Sequence, residues 1–222
     1  MNLSEQTVNI LKNFSHINNG LYFQQGQKLK TVAPSKAILA SANIIESIPV
    51  DFGIYDLSRL LGTISIFEKP EIEFQEKNLK LFQDTRVCKY AYCDSTLVVR
   101  PPEGKEVKLP TEDVTFTLSK SVFDNAIKSS SIMQVPDIAI RSNGTNIEIV
   151  SLDSKNPGDE FSSVVGETDK NFNFIFKVEN FSKLMSKDYT VTLSSKGLSR
   201  FDSTDGVLQY YIALEPNSEY NG

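Results

Sequence analysis

The chain contains no tryptophan, one histidine and two cysteines among 222 residues, and these scarcities exclude much chemistry. A zinc site normally draws four ligands from Cys, His and carboxylate. His16 and the Cys88/Cys93 pair cannot easily supply such a set. The cysteines read instead as small buried hydrophobes in a reducing compartment. His16 is the sole imidazole, and neither a Gly-x-Ser-x-Gly elbow nor a cysteine nucleophile context accompanies it. It reads as a polar helix position, and no catalytic residue, metal or cofactor is expected. Long apolar runs are also missing. The longest, Leu60 to Phe67, is broken by Gly62, Thr63 and Ser65 and falls short of the ~18 residues of a membrane span. The opening Met1-Asn2-Leu3-Ser4-Glu5 lacks the basic and apolar regions of a signal peptide, so a soluble intracellular protein with no membrane partner is expected.

An excess of positive charge is the last absence. With 23 Lys+Arg against 28 Asp+Glu the formal charge is −5, which argues against a domain coated in positive charge for DNA, a class that usually sits above a pI of about 9. Apolar material is plentiful: 40% of residues are hydrophobic, with 14 Phe and 8 Tyr, enough for one or two cores.

Periodicity places the elements. Leu3, Thr7, Ile10, Leu11, Phe14 and Ile17 make one helical stripe with Ser4 as N-cap. Asn18-Asn19-Gly20 stops that helix, Gly and Asn tolerating the left-handed conformation of a C-cap. Short strands follow at Leu21 to Gln24, Leu29 to Ala33 and Ala37 to Ile44. A helix over Tyr55 to Ile64 comes next, then strands at Glu71 to Phe74, Leu79 to Phe82, Val87 to Tyr92 and Thr96 to Arg100. Residues 101–111, rich in proline and charge, read as a connector between domains 1–100 and 112–222. Beyond it Phe116 to Ser119 leads into a helix carrying Val122, Phe123, Ala126 and Ile127. Strands Ile138 to Arg141 and Ile147 to Leu152 are joined through Asn143-Gly144, a type I′ hairpin signal. Ser154 to Asp159 reads as a loop and Phe172 to Lys177 as a strand. A helix over Lys177 to Lys187 and strands Tyr189 to Ser194, Leu198 to Asp202 and Val207 to Leu214 close the chain.

The order helix, strands, helix, strands therefore occurs twice, which reads as a structural duplication without sequence identity. Charge divides unevenly over this pattern. The four expected helices sum to +3, leaving −8 for the remainder of the −5 total. A mildly basic helical face can approach phosphates, and few such contacts give weak, salt-dependent binding. No aromatic basic groove or recognition-helix pattern accompanies it.

The segments Leu3-Ser-x-x-Thr7-x-x-Ile-Leu-Lys-Asn-Phe14-x-x-Ile-Asn-x-Gly20, Ile54-Tyr-Asp-Leu-x-x-x-Leu-Gly62, Asn171-Phe-Asn-Phe-Ile175 and Tyr211-Ile-Ala-Leu-Glu215 resemble the DNA polymerase sliding clamps of T-even-type bacteriophages. The resemblance implies an α+β DNA-clamp fold with two similar domains of helices packed on antiparallel sheets, assembling as a homotrimer into a closed ring. It implies a processivity factor without catalysis that encircles double-stranded DNA and tethers the replicative DNA polymerase in the cytoplasm of the infected bacterial host. An ATP-dependent clamp loader is an implied partner. In the T-even type, the clamp also activates late transcription, with a late-transcription sigma factor and co-activator. Carried over by position, Lys12, Arg59, Lys120, Lys128, Lys183 and Lys187 face the DNA channel, with Lys177 at a strand-to-helix junction. Val107, Leu109, Pro110, Tyr211, Ala213 and Pro216 form the partner-peptide pocket. Two other classes compete on the residues alone: a β-rich phage structural or assembly protein, and a metal-dependent nuclease using Asp137, Asp153 or Asp159.

Overall fold

In the computed structural model, which describes residues 1–102, 104, 106–156 and 158–222, Ser4 starts the first helix. Its Oγ accepts from Thr7 N at 3.2 Å, satisfying one of the donors a helix start leaves unpaired. Helix α1 spans Glu5–Ile17 and buries Thr7, Ile10, Leu11, Phe14 and Ile17, the stripe its spacing predicts. The helix ends at Asn18, as expected, but by another device. Asn18 is extended at φ −144°, not left-handed. Its Nδ2 donates to Val32 O and Val99 O at 3.1 and 2.8 Å, and its Oδ1 accepts from Gly20 N at 3.2 Å. Tertiary acceptors thus replace the left-handed cap. Gly20 is needed for close approach, since a Cβ there would sit 3.1 Å from Ile54 O.

The chain divides into two compact units, Met1–Gly104 and Lys105–Gly222. In the first, β1 (Leu21–Phe23), β2 (Gly26–Val32), β3 (Ile38–Ile48) and β4 (Phe52–Ile54) follow α1. β4 was not expected from the sequence. It pairs antiparallel with β1, and β2 pairs with β3. Helix α2 (Leu57–Ile64) starts where Asp56 Oδ1 accepts from Arg59 N at 2.8 Å. A three-stranded sheet of β5 (Glu71–Phe74), β6 (Asn78–Gln83) and β7 (Arg86–Ala91) follows. The strand expected over Thr96 to Arg100 does not form. A single 3-10 turn, Ser95–Leu97, stands there, because Asp94 Oδ1 accepts from both Thr96 N and Thr96 Oγ1. That local bond competes with ladder pairing. Cys88 and Cys93 are free and half-buried, more accessible than the buried reading.

The second unit runs β8 (Val114–Leu118), α3 (Lys120–Met133), β9 (Asp137–Asn143), β10 (Asn146–Leu152), β11 (Phe161–Glu167), β12 (Asn171–Lys177), α4 (Val178–Phe181), β13 (Tyr189–Ser194), β14 (Leu198–Ser203), β15 (Leu208–Ala213) and β16 (Glu219–Tyr220). One sheet has the order β11-β10-β9-β12-β16, and β15-β14-β13-β8 are neighbours in another. In both units the first helix lies on the hairpin that follows it, α1 on β2–β3 and α3 on β10–β11. The fold is therefore α+β, with two similar domains of helices on antiparallel sheets.

Two expectations fail in this unit, and two strands were missed. The β9–β10 hairpin is not type I′, which requires positive φ at both central residues. Gly144 has φ 91° while Asn143 and Thr145 are absent from the positive-φ residues. The helix expected over Lys177 to Lys187 is a single turn ending at Phe181. Ser182 N still reaches Val178 O, but Lys183 N and Leu184 N turn tightly to Asn180 O and Phe181 O. Lys177 offers no side-chain cap, and Asn180, Ser182 and Ser186 are residues whose polar side chains compete with the helical backbone. Lys183 and Lys187 consequently lie beyond the helix. β11 and β16 were missed. β11 is exposed at most positions and lacks apolar alternation, and β16 is only two residues long.

The second core is aromatic. Phe181 meets Phe123, Phe176 and Phe201 at ring separations of 5.3, 5.5 and 5.6 Å. Tyr189 lies 6.0 Å from Phe201 and 6.2 Å from Tyr210. Burial pushes the Tyr189 and Tyr210 hydroxyls far above the usual phenol range, so both stay neutral at any working pH. Tyr189 Oη donates to Met185 O, fixing the turn after α4.

Candidate nucleic-acid interface

Lys12 is exposed on α1, on the side away from the Ile10, Leu11 and Phe14 stripe, with Glu5 and His16 also exposed. Arg59 is exposed on α2, one residue before the buried Leu60 and Leu61. On α3, Lys120, Asp124 and Lys128 recur every four residues and so form one row. Lys120 and Lys128 are exposed and Asp124 is half-buried. Lys12, Arg59 and Lys128 make no salt bridge among the described residues. Lys120 Nζ meets Asp124 Oδ2 at 2.5 Å. Lys187 is half-buried and its Nζ contacts Asp205 Oδ2. Lys183 is half-buried in the turn after α4 and has interactions of its own.

Lys177 has a structural role. Its Nζ lies 2.6 Å from Asp137 Oδ1 and 4.0 Å from Glu215. Asp137 is fully buried and its other oxygen accepts from Ser154 N and Oγ at 3.1 and 2.5 Å. Burial pushes the Asp137 carboxyl up, but the bonds from Lys177 and Ser154 outweigh it and hold the group below the usual range. Asp153 Oδ1 accepts from Lys155 N and Asn156 N, closing a turn. Two of the three carboxylates of the nuclease reading thus hold backbone in place.

The observed helices alter the charge tally. α1 carries zero, α2 and α3 plus one each, and α4 minus one, so the helices proper hold +1 rather than +3. α2 gains one, because Asp56 is its N-cap and lies outside it, and α4 loses three. Lys177 is its N-cap, and Lys183 and Lys187 follow it.

Of the residues assigned to a partner pocket, Val107, Leu109 and Ala213 are half-buried, Pro110 and Pro216 exposed, and Tyr211 6% exposed. Tyr211 sits opposite Arg200 across β14–β15. Burial pushes its hydroxyl up, against Arg200, with Asp202 and Glu106 also raising it. Thr111 Oγ1 and Ser195 N both reach Asp113 Oδ2, at 2.6 and 2.7 Å, which ties the end of the connector segment to the β13–β14 turn.

Sequence reasoning missed the open edges. β7 ends its sheet at one side and β11 ends another, both mostly exposed. Val87 is 57% exposed, Phe161 41% and Val164 58%. Their exposed apolar side chains were visible in the sequence, but no local pattern marks a strand as lying at an edge.

The architecture is that of the DNA clamps. A solved structure of A. fulgidus PCNA, bound to the C-terminal region of FEN-1, superposes with a TM-score of 0.71 at 16% identity, covering 99% of this chain and all of the other. The Proliferating Cellular Nuclear Antigen from Entamoeba histolytica gives 0.69 at 15% identity over 94% of each chain. Sequence narrows the class. Residues 4–98 match the family model for a DNA polymerase processivity factor, and residues 116–216 match the gp45 sliding clamp, C terminal. The sliding clamp of Vibrio phage KVP40 is 32% identical, covering 97% of this chain and 99% of that one. The sliding clamp of Enterobacteria phage T4 is 29% identical over the whole of both. The chain belongs to the DNA polymerase processivity factors of the sliding-clamp type. It is a non-catalytic scaffold that serves a DNA polymerase.

Proposed function

We propose that three copies of this chain close into a ring around duplex DNA and hold the replicative polymerase to its template inside the infected bacterial cytoplasm. The observation that carries this reading is one open strand edge in each unit. An exposed edge is a liability unless something covers it. β7 brings Arg86, Val87 and Lys89, all exposed, and β11 brings Phe161 and Val164 with Asp159, Glu160 and Glu167 about it. The two edges differ in charge and both carry apolar side chains. Pairing β7 of one copy with β11 of the next is a heterologous contact, and such contacts make rings when the rotation closes. Three is the number that the family resemblance implies.

In that ring Lys12, Arg59, Lys120, Lys128, Lys183 and Lys187 position phosphates without reading bases. Residues 101–111 connect domains 1–100 and 112–222. Val107, Leu109 and Pro110, with Tyr211, Ala213 and Pro216, receive apolar anchors of partner peptides. An ATP-dependent loader opens and closes the ring, and the clamp on DNA also serves a late-transcription sigma factor and its co-activator. Native mass spectrometry should find a species of three times the 24.8 kDa protomer, and Val164→Lys should lower its population. Loader-dependent retention of polymerase should be longer on circular than on linear duplex. A protomer that stays single at high concentration, or equal loss from both templates, would sink the ring.

A further inference from the structure

We propose that Asp124 and Asp205 set how firmly this clamp grips DNA, by competing with phosphates for Lys120 and Lys187. The proposal rests on the channel role given to those lysines. Each carboxylate is aimed at its lysine by bonds that do not involve the lysine. Asp124 Oδ1 accepts from Ser186 Oγ at 2.5 Å while Oδ2 takes Lys120. Asp205 Oδ1 accepts from Ser203 Oγ at 2.6 Å and Val207 N at 3.1 Å while Oδ2 takes Lys187. The acceptors are therefore oriented before the lysines arrive.

The pairs are also reachable by solvent. The Lys120 and Asp124 side chains are 56% and 41% exposed, and those of Lys187 and Asp205 25% and 43%. Exposed ion pairs are weak and screened by salt, so they act as competitors and not as locks. The Lys120–Asp124 pair runs in the less favourable order for a helix, cation before anion. A second acidic group, Asp188, takes Lys120 N at 2.6 Å, so α3 keeps an anionic partner at its start when Asp124 changes. Lys12, Arg59 and Lys128 have no such competitor among the described residues. Lys120 and Lys187 lie in the second unit. A sliding protein needs phosphate contacts that are few and quickly exchanged, since each one adds to salt-dependent affinity. An internal carboxylate on Lys120 and on Lys187 lowers the grip without removing these lysines from the surface.

The test is binding of the full-length protein to a fluorescein-labelled blunt duplex, followed by anisotropy across a potassium chloride series. The D124N/D205N variant keeps the acceptor oxygens for Ser186, Ser203 and Val207 N. It should bind several-fold tighter at low salt, with the log–log salt slope steeper by about 0.9 for each lysine that gains a phosphate. Adding K120Q and K187Q to that variant should abolish the gain. The proposal is overturned if the gain survives those two changes, if D159N produces the same gain by net charge alone, or if D124N/D205N leaves affinity and slope unaltered. A K12Q/R59Q/K128Q variant separates the two levels. Weaker binding there with no response to D124N/D205N removes only this proposal, whereas unchanged binding there removes the channel reading beneath it.

Discussion

The two units share an order of elements and little else. In the first, β1 and β4 are three residues each and form a separate two-stranded ladder. In the second, the corresponding β9 and β12 are seven residues each and join β10, β11 and β16 in one sheet. The first core is chiefly aliphatic, built on Ile10, Leu11, Leu29, Ile38, Leu57 and Leu60, and the second is dense in buried Phe and Tyr. Helix α2 has eight residues and α4 four. Large aromatic rings fill volume that a longer helix with branched side chains fills in the first unit. Cores tolerate such exchange when volume and pattern are kept. One arrangement of layers can thus be held by two chemistries, which is how a duplication persists after sequence identity is lost.

The contrast can be broken by truncating the centre of each core. Phe181→Ala removes a ring in contact with three others and should cost about 4 kcal/mol, while Leu60→Ala should cost about 3 kcal/mol. Urea unfolding of both variants measures the difference, and a larger loss at Leu60 would mean that the aromatic cluster is not the stronger core.

Acid sensitivity sharpens the contrast next. Asp137 is buried against Lys177 in the second unit. In the first, Glu46 accepts from Thr7 Oγ1 at 2.5 Å and from Ser4 N at the start of α1. Burial pushes Glu46 up, but these bonds hold its carboxyl below the usual range. Both folded pKa values lie below the unfolded ones. Their stabilisation is therefore present above the unfolded carboxylate value of about 4 and is lost as pH falls through the folded value. Asp137→Asn should cost about 2 kcal/mol at neutral pH because it leaves Lys177 without its closest anion. Glu46→Gln should cost about 1 kcal/mol. Thermal unfolding across pH should show each deficit shrinking in acid, and a deficit constant with pH would assign the loss to packing.

The smallest expected difference lies at the two serine caps. Ser4 Oγ stands 3.2 Å from Thr7 N and Ser119 Oγ 3.4 Å from Val122 N. Ser4→Ala should cost about 1 kcal/mol and Ser119→Ala about 0.5 kcal/mol. Helicity and urea midpoint together test this, and equal losses would show that the cap distances do not matter.

Much of this fold was legible along the chain. The stripe Thr7, Ile10, Leu11, Phe14, Ile17 and the serine caps are local, so periodicity and residue type suffice. The α4 segment was misread because Val178, Phe181 and Leu184 have helical spacing, yet Phe181 and Leu184 are buried although the helix stops after a single turn. β4 and β11 were missed for opposite reasons. β4 is three buried residues with no alternation to detect, and β11 is an exposed edge with little apolar pattern. Among the candidate cations, exposure of Lys12, Arg59, Lys120 and Lys128 followed from helix faces. The pairing of Lys187 with Asp205, eighteen residues away, did not.

The sequence by itself determined the helix starts, the alternation of helices with antiparallel strands and the twofold repeat of that order, because each depends on contacts within a few residues; the class of protein came from the resemblance of four segments to a known family. Tertiary structure alone decided where α1 ends on Val32 and Val99, how short α4 is, which strands lie at edges and which lysines already hold a carboxylate. These depend on groups that meet only after the chain has folded, and their spacing in sequence carries no trace of the meeting.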